Sequence, residues 1–137
     1  MPIQSLSHMT FIVRDLDKMT LFLCDGLGAE QVYCSGDQTF SLSRERFFML
    51  GGLWLAAMEG EALAERSYNH VAFQIDASEL EDYTHRLERI GVDIKPARPR
   101  VEGEGLSLYF YDFDNHLFEL HTGTLTERLE RYADGAE

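Results

Sequence analysis

Two histidines set the first chemical question. His8 and His70 stand 62 residues apart, and Ser7-His8-Met9-Thr10-Phe11 aligns with Asn69-His70-Val71-Ala72-Phe73. Each histidine falls where apolar and polar residues alternate, the pattern of a half-buried strand. If the two stretches are equivalent parts of a repeat, pseudo-symmetry brings their strands and imidazoles together. Glu119, between Phe118 and Leu120, adds a carboxylate on the strand face it would share with Leu117 and His121. A carboxylate there is costly to bury unless it is paired or bound to metal. Two neutral imidazoles and one carboxylate suit a divalent first-row metal with open positions. On spacing alone, a structural role and a ligating role stand about level.

The elements that must position these residues are legible in outline. Leu6 to Arg14 reads as a strand, and Asp15 as the N-cap of a helix with Leu16, Met19, Leu23 and Leu27 at helical spacing. Three strand candidates follow: Gln31 to Cys34, Thr39 to Leu42, and Arg46 to Met58, the last folded into a hairpin at Gly51-Gly52. Gly60 to Ser67 is a polar connector. The order then repeats, with a strand from Asn69 to Ile75 and a helix capped by Ser78 that carries Leu80, Tyr83, Leu87 and Ile90 up to Gly91. Val92 to Lys95, a loop from Pro96 to Gly105, and a hairpin of Leu106 to Tyr111 and Leu117 to Thr122 complete the repeat. Thr124 caps a last helix, Leu125 to Tyr132.

The fold class expected is α+β, built from two tandem βαβββ modules in one domain over residues 1–137. Module one covers about 5–60 and module two about 68–123, with a C-terminal helix over about 124–132. Neither module buries its sheet alone, so the modules should pair within or between chains.

At 137 residues, with 45% hydrophobic and 12% aromatic residues, the chain has enough apolar side chains for a packed core. Twelve basic against twenty-four acidic residues give a net charge of −12. That balance argues against nucleic acid or an anionic membrane as the main partner. Runs such as Leu53 to Met58 fall far short of the roughly 20 apolar residues of a membrane span, and Met1-Pro2-Ile3-Gln4 does not start a signal peptide. Cys24 and Cys34 are too few for a disulfide scaffold, which points to a reduced, cytoplasmic protein.

With His8, His70 and Glu119 on paired βαβββ units, the chain resembles the vicinal oxygen chelate (glyoxalase/bleomycin-resistance-like) superfamily. Gly103-Glu104-Gly105, Ser107, Tyr109-Phe110-Tyr111-Asp112, Asn115-His116 and Phe118-Glu119-Leu120-His121 resemble more narrowly the fosfomycin-resistance proteins, from about Leu6 to Arg131. The segment Phe40 to Phe48 is similar to the branch of that family that opens the epoxide with water rather than with a thiol. The resemblance implies a Mn²⁺ ion held by His8, His70 and Glu119, with Glu45 as the general base that takes a proton from water. Hydrolysis needs such a base, whereas thiolate attack does not. Thr10, on the His8 face of its strand, is a candidate to meet the epoxide oxygen or a product alkoxide.

A phosphonate beside so acidic a protein needs local cations. The resemblance places Ser107, Tyr109 and Arg128 at the phosphonate, with Arg98 and Arg100 as further guanidinium candidates and Tyr68 as a wall of the site. Lys95 is another nearby cation, while Arg14, Arg86 and Arg89 read as solvated charges. Leu106 stands where water-using relatives often carry arginine. The resemblance also implies a homodimer in which His8 of one subunit meets His70 and Glu119 of its partner. The rivals are a thiol transferase opening the same epoxide, a drug-sequestering binding protein, and a glyoxalase-like metalloenzyme acting on another substrate.

Overall fold

The computed structural model describes residues 2–96 and 105–135. Arg98 and Arg100 lie outside the described residues. The chain divides into two units, each with its own sheet. One unit comprises the residues up to Arg66 together with Asp112–His116, and the other comprises Ser67–Tyr111 and the segment from Leu117 onward. The class is α+β.

The first unit runs β1 (His8–Val13), α1 (Leu16–Thr20), β2 (Glu30–Cys34), β3 (Glu45–Leu50) and β4 (Leu53–Glu59). Its four-stranded sheet has the order β1-β4-β3-β2, with β1 parallel to β4 and the other pairs antiparallel. Gly51 and Gly52 both have positive φ, 56° and 80°, and join β3 to β4 in a two-residue turn. That turn requires left-handed backbone at both positions, which glycine supplies without strain. Asp15 caps α1 by accepting from the Asp17 and Lys18 amides.

The helix after Asp15 is not regular throughout. From Leu21 to Gly26 it continues as a π-helix, a widened turn, and Phe22 and Leu23 are fully buried, as are Met19 and Leu27. The strand expected over Thr39 to Leu42 does not form. Gln38 closes a turn on the Ser35 carbonyl, and Phe40 and Leu42 point to solvent, 81% and 94% exposed. Their alternation is local, and among the described residues it meets no partner strand.

The second unit runs β5 (His70–Gln74), α2 (Leu80–Ile90), β6 (Ser107–Tyr111), β7 (Leu117–His121) and α3 (Leu125–Gly135). Its sheet has the order β5-β7-β6, with β5 parallel to β7 and β6 antiparallel to it. The segment expected as a strand over Val92 to Lys95 is reduced to a bridge between Ile94 and Phe110. It is flanked by hydrogen bonds from the Lys95 amide to the Tyr109 carbonyl (2.8 Å) and from the Tyr111 amide to the Asp93 carbonyl (3.0 Å). It occupies the place β2 holds in the first unit. Ser78 does not cap α2; a 3₁₀ turn over Ala77–Glu79 leads into that helix instead. Thr124 caps α3, its hydroxyl accepting from the Glu127 amide.

The turn Asp112–His116 clusters with the first unit and is held there by buried carboxylates. Asp114 Oδ1 accepts from the Arg14 backbone amide and from Arg14 Nε, both at 3.0 Å. Arg14, expected as a solvated charge, therefore ties strand β1 to this turn. Asp112 accepts from the Asp114 and His116 amides and from His116 Nδ1. Among the described residues, no helix is long and apolar enough to cross a membrane.

Candidate active site

The register of β5, β7 and β6 builds the polar face of the second unit. Ala72 pairs with Glu119 and Glu119 with Tyr109; Gln74 pairs with His121 and His121 with Ser107. Because strand side chains alternate, His70, Glu119, His121, Ser107 and Tyr109 share one face. Phe73, Phe118 and Phe110 stack along the other. One face of the sheet is thus a rigid aromatic core, and the other carries the chemistry.

His70 and Glu119 are brought together, with His70 Nε2 3.0 Å from Glu119 Oε1. His70 Nδ1 lies 2.7 Å from the Tyr68 carbonyl oxygen. A carbonyl only accepts, so the ring proton sits on Nδ1 and is donated to Tyr68. Nε2 then carries either a second proton, making an ion pair, or a lone pair facing a carboxylate oxygen. The second arrangement repels unless a cation lies between the two atoms. Donors bonded to one ion at about 2.1 Å and at right angles stand about 3 Å apart, so this pair fits a metal chelate. An imidazole oriented by a backbone carbonyl is also the usual state of a ligating histidine.

Glu119, buried despite its charge, is held on its other oxygen. Ser107 Oγ donates to Glu119 Oε2 at 2.7 Å and lies 2.8 Å from His121 Nδ1. Arg128 Nη2 reaches His121 Nε2 at 3.3 Å. The Tyr68 hydroxyl donates to the Tyr109 hydroxyl at 3.0 Å. Burial, then the Tyr68 hydrogen bond, then the Glu119 charge push the Tyr109 phenol well above its ordinary range, so it stays protonated as a donor.

The first unit presents the equivalent face from β1, β4 and β3. His8 pairs with Trp54, Thr10 with Ala56, and Ile12 with Met58; Ala56 pairs with Phe47, and Met58 with Glu45. The two repeats match position by position. His8 corresponds to His70, and Ala56 stands where the second repeat has Glu119, so only one repeat carries the carboxylate. The His8 ring stacks on Trp54 at 4.2 Å, with Nδ1 3.0 Å from Ser7 Oγ. The exposed Thr10 lies two residues along the same face.

Glu45 is buried at 7% exposure, yet among the described residues its carboxylate has no hydrogen-bond or ion-pair partner. The neighbouring arginines are committed elsewhere. Arg44 pairs with Glu59, and Arg46 bonds Asp17, Thr20 Oγ1 and the Leu16 carbonyl. A carboxylate not committed to a cation keeps its oxygens open to accept a proton, as a general base must.

Among the described residues, no cluster of three His, Cys, Asp or Glu side chains forms a metal site; the structure brings His70 and Glu119 together and places His8 in the other unit. Lys95 pairs with Asp93 and lies over the Tyr111 ring. Sequence reasoning missed the Trp54 stack on His8 and the contacts of Ser107, His121 and Arg128. Only the placement of His121 on the Glu119 face was readable.

The chain matches the family model for the Glyoxalase/Bleomycin resistance protein/Dioxygenase superfamily over residues 5–120. It is 62% identical over 130 residues to the fosfomycin resistance protein FosX of Listeria monocytogenes, covering 95% of this chain and 98% of that one. It is 40% identical to a metallothiol transferase FosB of Shouchella clausii, covering 95% and 88% of the two chains. A solved structure of a variant Listeria monocytogenes FosX, complexed with Mn(II) and 1S,2S-dihydroxypropylphosphonic acid, superposes with a TM-score of 0.87 at 56% identity. That match covers 96% of this chain and 99% of that one.

Proposed function

The chain belongs to the Glyoxalase/Bleomycin resistance protein/Dioxygenase superfamily and, within it, to the fosfomycin resistance proteins of the FosX type, and from that membership we propose that it inactivates fosfomycin by hydrolysis. The enzyme uses Mn²⁺ to add water to the epoxide, giving a vicinal diol and hence antibiotic resistance. The observation that carries this is the relative at 56% identity, bound to Mn(II) and to a dihydroxypropylphosphonic acid. That diol is what water addition to an epoxypropylphosphonate yields. The thiol-transferase reading stands at 40% identity against 62% for the FosX protein.

His8, His70 and Glu119 are the residues that would hold the metal, and the His70–Glu119 pair suits it by donor type and spacing. An ion held by these residues would supply Lewis acidity, stabilising the negative charge that develops as the epoxide opens. Glu45 takes a proton from a water as that water attacks the phosphonate-bearing carbon opposite the breaking C–O bond. The proton then returns through solvent to the oxygen released from carbon. The Thr10 hydroxyl donates a hydrogen bond to that oxygen. Tyr109 donates to the phosphonate and Arg128 pairs with it, a planar cation that suits a tetrahedral anion, with Arg98 and Arg100 supplying further charge. Tyr68 orients Tyr109 and His70. Ser107 spends its one proton on Glu119, so its service is to the carboxylate.

Both βαβββ modules, about 5–60 and 68–123, serve one catalytic domain. The working unit is a homodimer, with His8 of one subunit completing the site of its partner. The exposed Phe40 and Leu42 provide apolar surface for association. Cys24 and Cys34 form no disulfide, which suits a reducing cytoplasm.

The test is ³¹P NMR of fosfomycin with metal-stripped protein, with Mn²⁺ added or withheld and glutathione added or withheld. A diol signal that needs Mn²⁺ but no thiol is expected. A product formed only with thiol would move the enzyme to the transferase branch.

A further inference from the structure

Three contacts on the polar face of the second unit have only one consistent assignment of protons. A guanidinium cannot accept, so at 3.3 Å from Arg128 Nη2 the His121 Nε2 must be the acceptor. His121 therefore carries its proton on Nδ1, 2.8 Å from Ser107 Oγ. A carboxylate cannot donate, so the 2.7 Å contact between Ser107 and Glu119 Oε2 spends the serine proton on Glu119. The serine oxygen then accepts from His121. The donations run in one direction, Arg128 to His121 to Ser107 to Glu119.

We infer that His121 is a positioning residue that couples the anion-binding arginine to the metal-binding carboxylate. Its two ring nitrogens do different work. Nδ1–H fixes Ser107 and, at 3.2 Å, approaches Glu119 Oε2 directly, which leaves Oε1 as the oxygen turned to His70. Nε2 holds Arg128 on α3 with a neutral partner. Among the described residues no carboxylate pairs with that guanidinium, so its charge remains available to a phosphonate. The local sequence builds this arrangement. Ser107 and His121 are register partners on β6 and β7, and Thr124 starts α3 so that its first turn delivers Arg128. Hydrogen-bond partners of ligating carboxylates tune metal affinity in this way.

The inference rests on the proposed roles of Glu119 and Arg128, and its test separates the two. His121→Ala, His121→Asn and His121→Gln are compared as full-length, metal-stripped proteins. The Mn²⁺ Kd is read from the EPR signal of free Mn²⁺, and KM and kcat for fosfomycin are read at saturating Mn²⁺. Glu119→Ala is the control for the metal site. Asparagine places an amide donor where Nδ1 stands, and glutamine places a carbonyl acceptor where Nε2 stands.

Alanine should weaken Mn²⁺ about 10- to 100-fold and raise KM about tenfold, the worth of one charge-assisted hydrogen bond. Asparagine should restore Mn²⁺ affinity but not KM, and glutamine KM but not Mn²⁺ affinity. A structural role would produce no such split. Rescue of both properties by one variant, or of neither by either, overturns the inference, as does an unchanged alanine variant. An unchanged Mn²⁺ Kd in Glu119→Ala would instead overturn the metal site on which the inference stands.

Discussion

His70 Nε2 faces Glu119 Oε1 at 3.0 Å while the Tyr68 carbonyl holds the ring proton on the far nitrogen, Nδ1. Whenever Nε2 carries a lone pair rather than a second proton, two acceptors face each other there, and a cation between them removes the repulsion. A metal ion in that place binds the folded protein and not the unfolded chain, so Mn²⁺ should stabilise the fold. At a hundred times its Kd the gain is about 2.7 kcal/mol. Thermal unfolding with and without Mn²⁺ checks this, and His70→Ala and Glu119→Ala should each abolish most of the rise in Tm.

Glu45 is the second point of test. It lies buried, and among the described residues its carboxylate has no partner, while the arginines on either side bond other groups. Glu45→Gly should lower kcat for diol formation by about 10²- to 10⁴-fold, the usual contribution of a general base. Mn²⁺ and fosfomycin affinities, read by EPR and by calorimetry, should change little. Hydrolysis at the wild-type rate in this variant removes the role.

How far the sequence revealed the site depends on the range of the interaction involved. His8 and His70 were legible because a repeated pattern marks them, and each opens its strand, β1 or β5. The asymmetry of the repeats, Ala56 against Glu119, needs the strand registers, which no local pattern specifies. The stack of His8 on Trp54 likewise needs the parallel register of β1 with β4. The path from Arg128 through His121 to Ser107 needs the β6–β7 register and the direction of α3 together. Local alternation also misled, because Thr39 to Leu42 looks like a strand yet pairs with no strand among the described residues. The π-helix over Leu21–Gly26 left no mark in the apolar spacing, because Met19, Phe22, Leu23 and Leu27 are spaced as in an ordinary α-helix.

The subunit arrangement gives a third prediction. If His8 from one subunit completes a site with His70 and Glu119 from its partner, His8→Ala and Glu119→Ala chains are each inactive but complement when mixed. Random exchange at equal amounts should restore about a quarter of wild-type activity, because half the dimers are mixed and each holds one intact site. No recovery after exchange is verified by mass would place all three ligands on one chain.

A fourth prediction concerns the turn that leads into β7. Asp114 is buried and takes both the backbone amide and Nε of Arg14. Asp114→Ala leaves those donors without their acceptor and should cost about 2–3 kcal/mol, lowering Tm by about 5–10 °C. Asp114→Asn keeps an acceptor oxygen and should cost less. Equal losses for the two variants in chemical denaturation would show that the hydrogen bonds are not what matters.

The most direct test of the central claim is a single turnover of fosfomycin in H₂¹⁸O, with enzyme in excess, Mn²⁺ present and thiol absent, followed by mass spectrometry of the product. Activation of water by Glu45 predicts a diol carrying one ¹⁸O at the phosphonate-bearing carbon in that first turnover. An unlabelled diol would mean that a carboxylate of the protein attacks the epoxide, which contradicts the account.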